Sequence, residues 1–309
     1  MKLELIARFF HGADPWTFVG KTHWDDVLGD KVERVIERLR EDGALIQAPP
    51  ELAIRKRYSE TDLRYLLGER GLDSTGTPEE MIDRLVTADA EGVRMLAAEI
   101  NILVPSDEAR GAVARYVKAE RARRVKTENV CLADLHQRNF LRAALTVGEF
   151  QKDSVFSRRA GVSFSDDDQL ENVEILKKLF EHTPRLLAAF DAQTLDGLRP
   201  AAGMAFLWGK ESAAPWVSES LRVDGRLDAV TVCAMLISHA RHLQEVENYR
   251  GARYNAFEIW SRNDDDTCTA CRELRGKLYS LDSLPELPHA QCSSTHGCRC
   301  KIVVSEYSH

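Results

Sequence analysis

Five of the chain's seven cysteines fall in its last 42 residues, spaced Cys268-x2-Cys271-x20-Cys292-x5-Cys298-x-Cys300. A deprotonated thiol is a soft ligand, and thiolates suit tetrahedral zinc. A Cys-x-x-Cys turn can set two thiolates about 2.3 Å from one Zn2+, and the later cysteines return at close to a two-knuckle spacing. We expect a structural Zn2+ held by four of Cys268, Cys271, Cys292, Cys298 and Cys300, with His289 and His296 as rival ligands. A closed thiolate set leaves no position for water, which favours a structural metal over a catalytic one. The segment carries too little apolar area to fold unaided, so the ion would supply much of its stability. Cys131 and Cys233 stand apart in apolar surroundings and read as core thiols.

Other reactive constellations are weaker. His239, His242 and Glu245 recur every three residues, yet no further ligand stands at a recognisable offset. The triplets Asp166, Asp167, Asp168 and Asp264, Asp265, Asp266 could hold Mg2+ for a nuclease. A Gly-rich phosphate loop, a nucleophile elbow and an HExxH helix are all absent from the sequence. The expectation is a non-enzymatic protein, with a metal-dependent nuclease as the last of three readings.

The elements that must position these groups are mostly helical. At 309 residues, 44% hydrophobic and 29% charged, the chain can build real cores in two or three domains. A net charge of −7 excludes a globally basic nucleic-acid glove but allows a local basic patch. The longest apolar run, residues 229–237, is far shorter than the roughly 20 residues a membrane helix needs. The N-terminus lacks the pattern of a signal peptide, so a cytoplasmic protein with no membrane partner is expected.

Apolar residues at spacings of three and four predict a helix near residues 3–10 and another over 24–40, followed by a short strand or wing at 44–46. Residues 1–50 therefore read as an N-terminal helical, winged-helix-like unit. Residues 51–90 form the next unit, 91–130 a basic connecting helix broken at Pro105, and 131–260 a helical body opened by Leu132, Leu135, Phe140, Leu141 and Leu145. In that body residues 161–168 read as a loop, 168–182 as a helix, 203–216 as buried and 229–249 as a long helix capped by Asp228. Residues 261–309 are the Cys-rich α+β unit, with a hairpin near 276–279 and a strand at 301–304. The fold class is mainly α and multidomain.

Within residues 59–86, Ser59 and Thr77 are N-cap residues with acids three positions on, and Pro78 opens the second helix. Leu63, Leu67, Gly71, Leu72, Gly76, Ile82, Arg84 and Leu85 give this helix–loop–helix a close resemblance to the SAP module. The resemblance implies contact with duplex nucleic acid. Where that module usually carries Lys or Arg after Gly76, this chain has Thr77, Pro78, Glu79 and Glu80, which weakens phosphate contact. Arg55, Lys56, Arg57, Arg64 and Arg70 offer compensation. The strongest positive field lies further on, where Arg110, Arg115, Lys118, Arg121, Arg123, Arg124 and Lys126 oppose only Glu120 within residues 110–126. Weak, sequence-independent binding to duplex DNA is expected.

The tail also resembles the C-terminal segment of phage-Mu-F-like minor head (head morphogenesis) proteins. The matching residues are Trp260, Asp264 to Asp266, Cys268-x-x-Cys271, Leu274-x-Gly276-Lys277, Leu284-Pro285 and Gly297-Cys298-Arg299-Cys300. The resemblance implies head assembly, portal or capsid proteins as partners, and a place in the virion. The SAP-like unit is not part of that family's usual core. A bacterial, prophage-derived DNA-binding or defence-related protein is the alternative reading.

Overall fold

The computed structural model describes residues 2–153, 166–210, 212–219, 221, 227–294 and 297–305. It is mainly helical with small antiparallel sheets, and divides into two units, Met1–Arg123 and Arg124–His309.

The first unit contains α1 (Lys2–Arg8), α2 (Thr22–Leu28), α3 (Val32–Glu41), β1 (Leu45–Gln47), α4 (Pro50–Arg57), α5 (Glu60–Gly68), α6 (Pro78–Ala88), α7 (Ala90–Ala98), β2 (Leu103–Pro105) and the first part of α8 (Asp107–His136). The single helix expected over 24–40 is two helices. Gly29 adopts a left-handed φ of 66° at the end of α2. The Asp25 carboxylate then accepts the Val32 N–H at 2.9 Å and pairs with Lys31 at 2.6 Å, fixing the corner. Trp24, Val32, Val35, Ile36 and Leu39 are still each buried, because apolar spacing survives the break.

β1 finds its partner only after 55 intervening residues. It runs antiparallel to β2, with Leu45 opposite Pro105 and Gln47 opposite Leu103. Ala13 bridges Leu103 from the other side, so β2 lies between Ala13 and β1, with α4–α7 inserted between the paired strands. The helix expected from Glu91 to Pro105 ends at Ala98, and Pro105 instead closes β2. On α5 and α6 the reciprocal caps form: Ser59 with Asp62, and Thr77 with Glu80. Leu63, Leu67, Met81, Ile82 and Leu85 face one another in the core.

The second unit holds the rest of α8, then α9 (Phe140–Asp153), α10 (Asp166–Glu181), α11 (Ala192–Leu207), α12 (Ala229–Arg250), β3 (Phe257–Trp260), α13 (Thr269–Leu274), β4 (Leu278–Tyr279) and β5 (Lys301–Val304). α10 packs against α9, α11 and α12. Leu135 and Leu176 approach to 3.1 and 3.4 Å of where a Cβ would stand on Gly203, so a larger residue there would push both leucines back by a few tenths of an ångström. Arg199 is buried but satisfied: it donates to the Leu179 and His182 carbonyls and to Thr183 Oγ1, capping the end of α10.

Of the loop expected at 161–168, residues 161–165 lie outside those described, and from Asp166 the chain is helical. Leu141 and Leu145, two of the residues that open the helical body, face outward. Residues 203–208 are buried as expected, whereas Ala214 and Pro215 are exposed. Asp228 does cap α12, accepting the Thr231 N–H. The C-terminal sheet has the order β4-β3-β5, all antiparallel, and buries Phe257, Ile259 and Ile302. Among the described residues, no helix is long and apolar enough to cross a membrane.

Candidate metal centre

Three short segments bring the five thiols together. Cys268 occupies the N-cap of α13 with extended φ and ψ, and Cys271 lies in the first turn. Cys292 closes a turn in which its N–H bonds the His289 carbonyl at 2.8 Å. Cys298 and Cys300 immediately precede β5, whose pairing with β3 sets Lys301 opposite Trp260. Gly297 makes the approach with φ +85°, passing so close to α12 that a Cβ there would stand 2.6 Å from Ala234 Cβ.

The sulfurs are in contact but unbonded. Cys268 Sγ lies 3.8 Å from Cys292 Sγ, Cys271 Sγ 3.7 Å from Cys292 Sγ, and Cys271 Sγ 4.0 Å from Cys298 Sγ. Four sulfurs about 2.3 Å from a central ion form a tetrahedron with edges of about 3.8 Å. Three of the sulfur–sulfur contacts therefore already match that edge. Two overlapping triads, Cys268–Cys271–Cys292 and Cys271–Cys298–Cys300, share Cys271. The cluster could hold a metal ion.

The surroundings fit that chemistry. A cavity of about 10 Å3, the scale of one small occupant, is lined by Cys268, Cys271, Cys298 and Cys300 together with Ser261 and Ser294. Both serine hydroxyls are buried without a hydrogen-bond partner among the described residues. Buried hydroxyls seldom go unpaired, and thiolates charged by metal binding would give them acceptors. Asp264 grips the Cys298–Cys300 arm through a two-pronged pair with Arg299, at 2.6 and 2.9 Å, and also accepts from Thr267 Oγ1 at 2.9 Å. Arg272 donates to the Asp264 carbonyl at 3.0 Å, tying the arm to α13.

Electrostatics within the cluster follow from shared protons. Hydrogen bonds from the neighbouring thiols of Cys271, Cys292 and Cys300 favour Cys298 as the thiolate. The same contacts push Cys271 up, Cys292 first among them. Burial raises Cys268, but the N–H groups of Ser293 and Cys271 outweigh it and bring the thiol below its usual range. Cys131 and Cys233 behave differently. Fully buried among apolar groups, both are pushed up to about 12 by burial, the inert state expected of core thiols.

His289 stands outside both thiol groups, its Nδ1 accepting the Gln291 N–H at 3.3 Å. His296 lies outside the described residues. His239, His242 and Glu245 do not converge as ligands. His239 Nδ1 donates to the Leu287 carbonyl at 2.9 Å, and Glu245 accepts the Ile302 N–H of β5. Burial lowers both imidazoles, His242 to about 4, so both are neutral. Spacing alone left the Asp264–Arg299 clamp unread. Its acid was visible only as one of a triplet, and its arginine only as the middle of Cys-Arg-Cys.

The basic residues expected to meet phosphate divide into two groups. Arg55 pairs with Glu79 at 2.7 Å, Arg64 with Glu60, Arg70 with Asp89 at 3.0 Å, Arg123 with Glu120 at 3.0 Å and Arg124 with Glu128 at 2.7 Å. Arg124 also lies over the Trp208 ring. Lys56, Arg57, Arg115, Lys118, Arg121 and Lys126 are exposed and make no ion pair among the described residues. Comparison with known protein families, with curated proteins and with solved structures finds no match.

Proposed function

We propose that this chain is a non-enzymatic assembly protein whose C-terminal segment is stapled by one structural Zn2+. The convergence of five thiols from three segments, with three sulfur–sulfur contacts near the edge length of a zinc tetrathiolate, carries the reading. All-thiolate sets select soft or borderline ions, and Zn2+ is the redox-inert member suited to a structural role. The assembly role rests on the tail's resemblance to phage-Mu-F-like minor head proteins, whose residues here have structural work to do. Asp264 clamps Arg299, Gly297 permits the approach to α12, and the cysteines form the cluster. The partners would be portal or capsid proteins. Elemental analysis of protein purified without chelator tests the metal: about one Zn per chain is expected, and none would end this reading.

A second reading has its own observation. Arg115, Lys118 and Arg121 lie unpaired and exposed along one side of the first unit's part of α8, a stripe suited to a phosphate backbone. With the paired Arg55, Arg64 and Arg70 set aside, duplex DNA contact rests on this stripe more than on the SAP-like loop. A salt-dependent shift of a labelled DNA duplex would support it, and no retention at low salt would remove it.

A further inference from the structure

Five thiols are one more than a tetrahedral ion takes, and their grouping is by threes. Cys268, Cys271 and Cys292 form one triad and Cys271, Cys298 and Cys300 another, with the sulfurs of each within 4.8 Å of one another. Among the described residues no fourth ligand group joins either triad at that distance. We infer that these five thiols bind two Cu(I) ions, one trigonal ion in each triad, with Cys271 as the bridging thiolate. This goes beyond the zinc reading, which uses four thiols, because it needs all five.

The count fits the geometry. Two three-coordinate sites have six ligand positions, and sharing one thiol reduces them to five. An ion about 2.3 Å from three sulfurs spaces them about 4.0 Å apart. The measured contacts lie close to that, at 3.8 Å for Cys268–Cys292, 3.7 Å for Cys271–Cys292 and 4.0 Å for Cys271–Cys298. The two triads also have different surroundings. Cys271, Cys298 and Cys300 all line the small cavity, whereas Cys292 lies outside its lining. One ion would therefore sit towards the cavity and the other towards Cys292. Ser261 and Ser294 line the same cavity, only 2% and 7% exposed, with hydroxyls that lack a partner among the described residues. Metal-bound thiolates would give both donors an acceptor.

The choice of ion follows from what each triad lacks. Zn2+ in structural sites is almost always four-coordinate, and no His, Asp or Glu among the described residues completes either triad. Two Zn2+ ions would each be left one ligand short. Cu(I) is soft, is selected by thiolates and is satisfied by three of them. Cys271, Cys292 and Cys300 are buried, which shields such an ion from water. Loading the metal-free chain would form six copper–sulfur bonds and release five thiol protons. Copper enters and stays as Cu(I), so no oxidant or reductant takes part, and any bound zinc leaves as Zn2+.

The test titrates the full chain as purified with Cu(I), anaerobically and against the chelator bicinchoninate, and counts bound ions by native mass spectrometry. The parent should hold two Cu(I) and show copper–copper scattering in X-ray absorption. Cys292→Ser and Cys300→Ser should each hold one Cu(I) without that scattering, because each breaks one triad and spares the other. Cys271→Ser breaks both, and copper affinity should fall by more than about 100-fold, since even residues that only support ligands cost 10–100-fold. Cys131→Ser should still hold two. A parent that saturates at one Cu(I), or a Cys300→Ser variant that keeps two, would overturn the inference. Zinc on the starting protein is counted separately. No zinc there with two Cu(I) bound ends the zinc reading alone, while one zinc with a single Cu(I) ends the copper inference alone.

Discussion

Gly297→Ala probes the joint between the cluster and the helical body. Two separable costs follow from the structure. A residue with a Cβ at φ +85° is strained, by about 1–2 kcal/mol for left-handed backbone. The new Cβ would stand 2.6 Å from Ala234 Cβ, where ordinary contact begins near 3.4 Å, so the loop must shift by most of an ångström. Overpacking of that kind costs about 1–3 kcal/mol. The sum, about 2–5 kcal/mol, falls on the second unit. For a body of that size each kcal/mol moves Tm by about 2–4 °C, giving a loss of roughly 5–20 °C. Because Cys298 is the next residue, zinc affinity should fall as well, measured by competition with a chromogenic chelator. Ala234→Gly removes the methyl group that is struck, at a helix-propensity cost of about 1 kcal/mol. In the double variant the overpacking cost should return as a coupling of about 1–3 kcal/mol, while the backbone strain stays. A Gly297→Ala protein with parental Tm and zinc affinity, or strict additivity in the cycle, would refute this account of the joint.

Cys268→Ser or Cys271→Ser should lose the metal and loosen the tail, seen by elemental analysis and limited proteolysis. Cys131→Ser should leave metal content unchanged, since that thiol sits in the core against the Ala143 carbonyl. Burial holds His242 near pKa 4, so below about pH 6.5 the unfolded chain takes up a proton that the folded protein refuses. Stability should therefore be complete above pH 6.5 and fall towards pH 4, by up to about 3 kcal/mol from this residue, and His242→Gln should flatten that part of a denaturant-midpoint profile. Reversing Arg115, Lys118 and Arg121 to Glu should abolish DNA retention at low salt. Reversing Arg64, already neutralised by Glu60, should change it little; equal effects would sink the α8 stripe. Leu176→Ala, in a fully buried position, should cost about 2–5 kcal/mol by thermal unfolding.

Local signals were legible and non-local pairings were not. Ser59, Thr77 and Asp228 announce helix starts because a cap is decided by residues two or three positions away. The strand at 45–47 could be read from its apolar residues, but β2 lies beyond four inserted helices, and nothing in either segment names the other. The break at Gly29 was hidden because Trp24 and Val32 keep helical spacing across it. Cysteine spacing pointed to a thiol cluster, since ligands must return to one point whatever the path between them. The basic residues were overcounted. Glu79, noted as a reversed charge in the SAP-like loop, is also the partner that neutralises Arg55.

The cluster's value to the fold lies in where its segments are already anchored. α12 holds three of the tail's turns by different means: Ala234 meets Gly297, His239 donates to Leu287, and Glu245 accepts the Ile302 N–H. Each contact is small, and the 49 residues after Trp260, which among the described residues add β4 and β5 to the sheet around β3, bury too little apolar surface to hold these turns in register unaided. Four thiolates on one ion would join α13, the turn at Cys292 and the approach to β5 in a single step, so an ion that binds only the folded arrangement would add its binding free energy to all three contacts. The Asp264–Arg299 pair then fixes the orientation of the Cys298–Cys300 arm. On this view the helical body supplies the surface and the metal supplies the closure. Removing the ion should therefore loosen β5 and the 287–300 segment while leaving the α9–α12 core folded, a separation that hydrogen exchange along the chain would resolve.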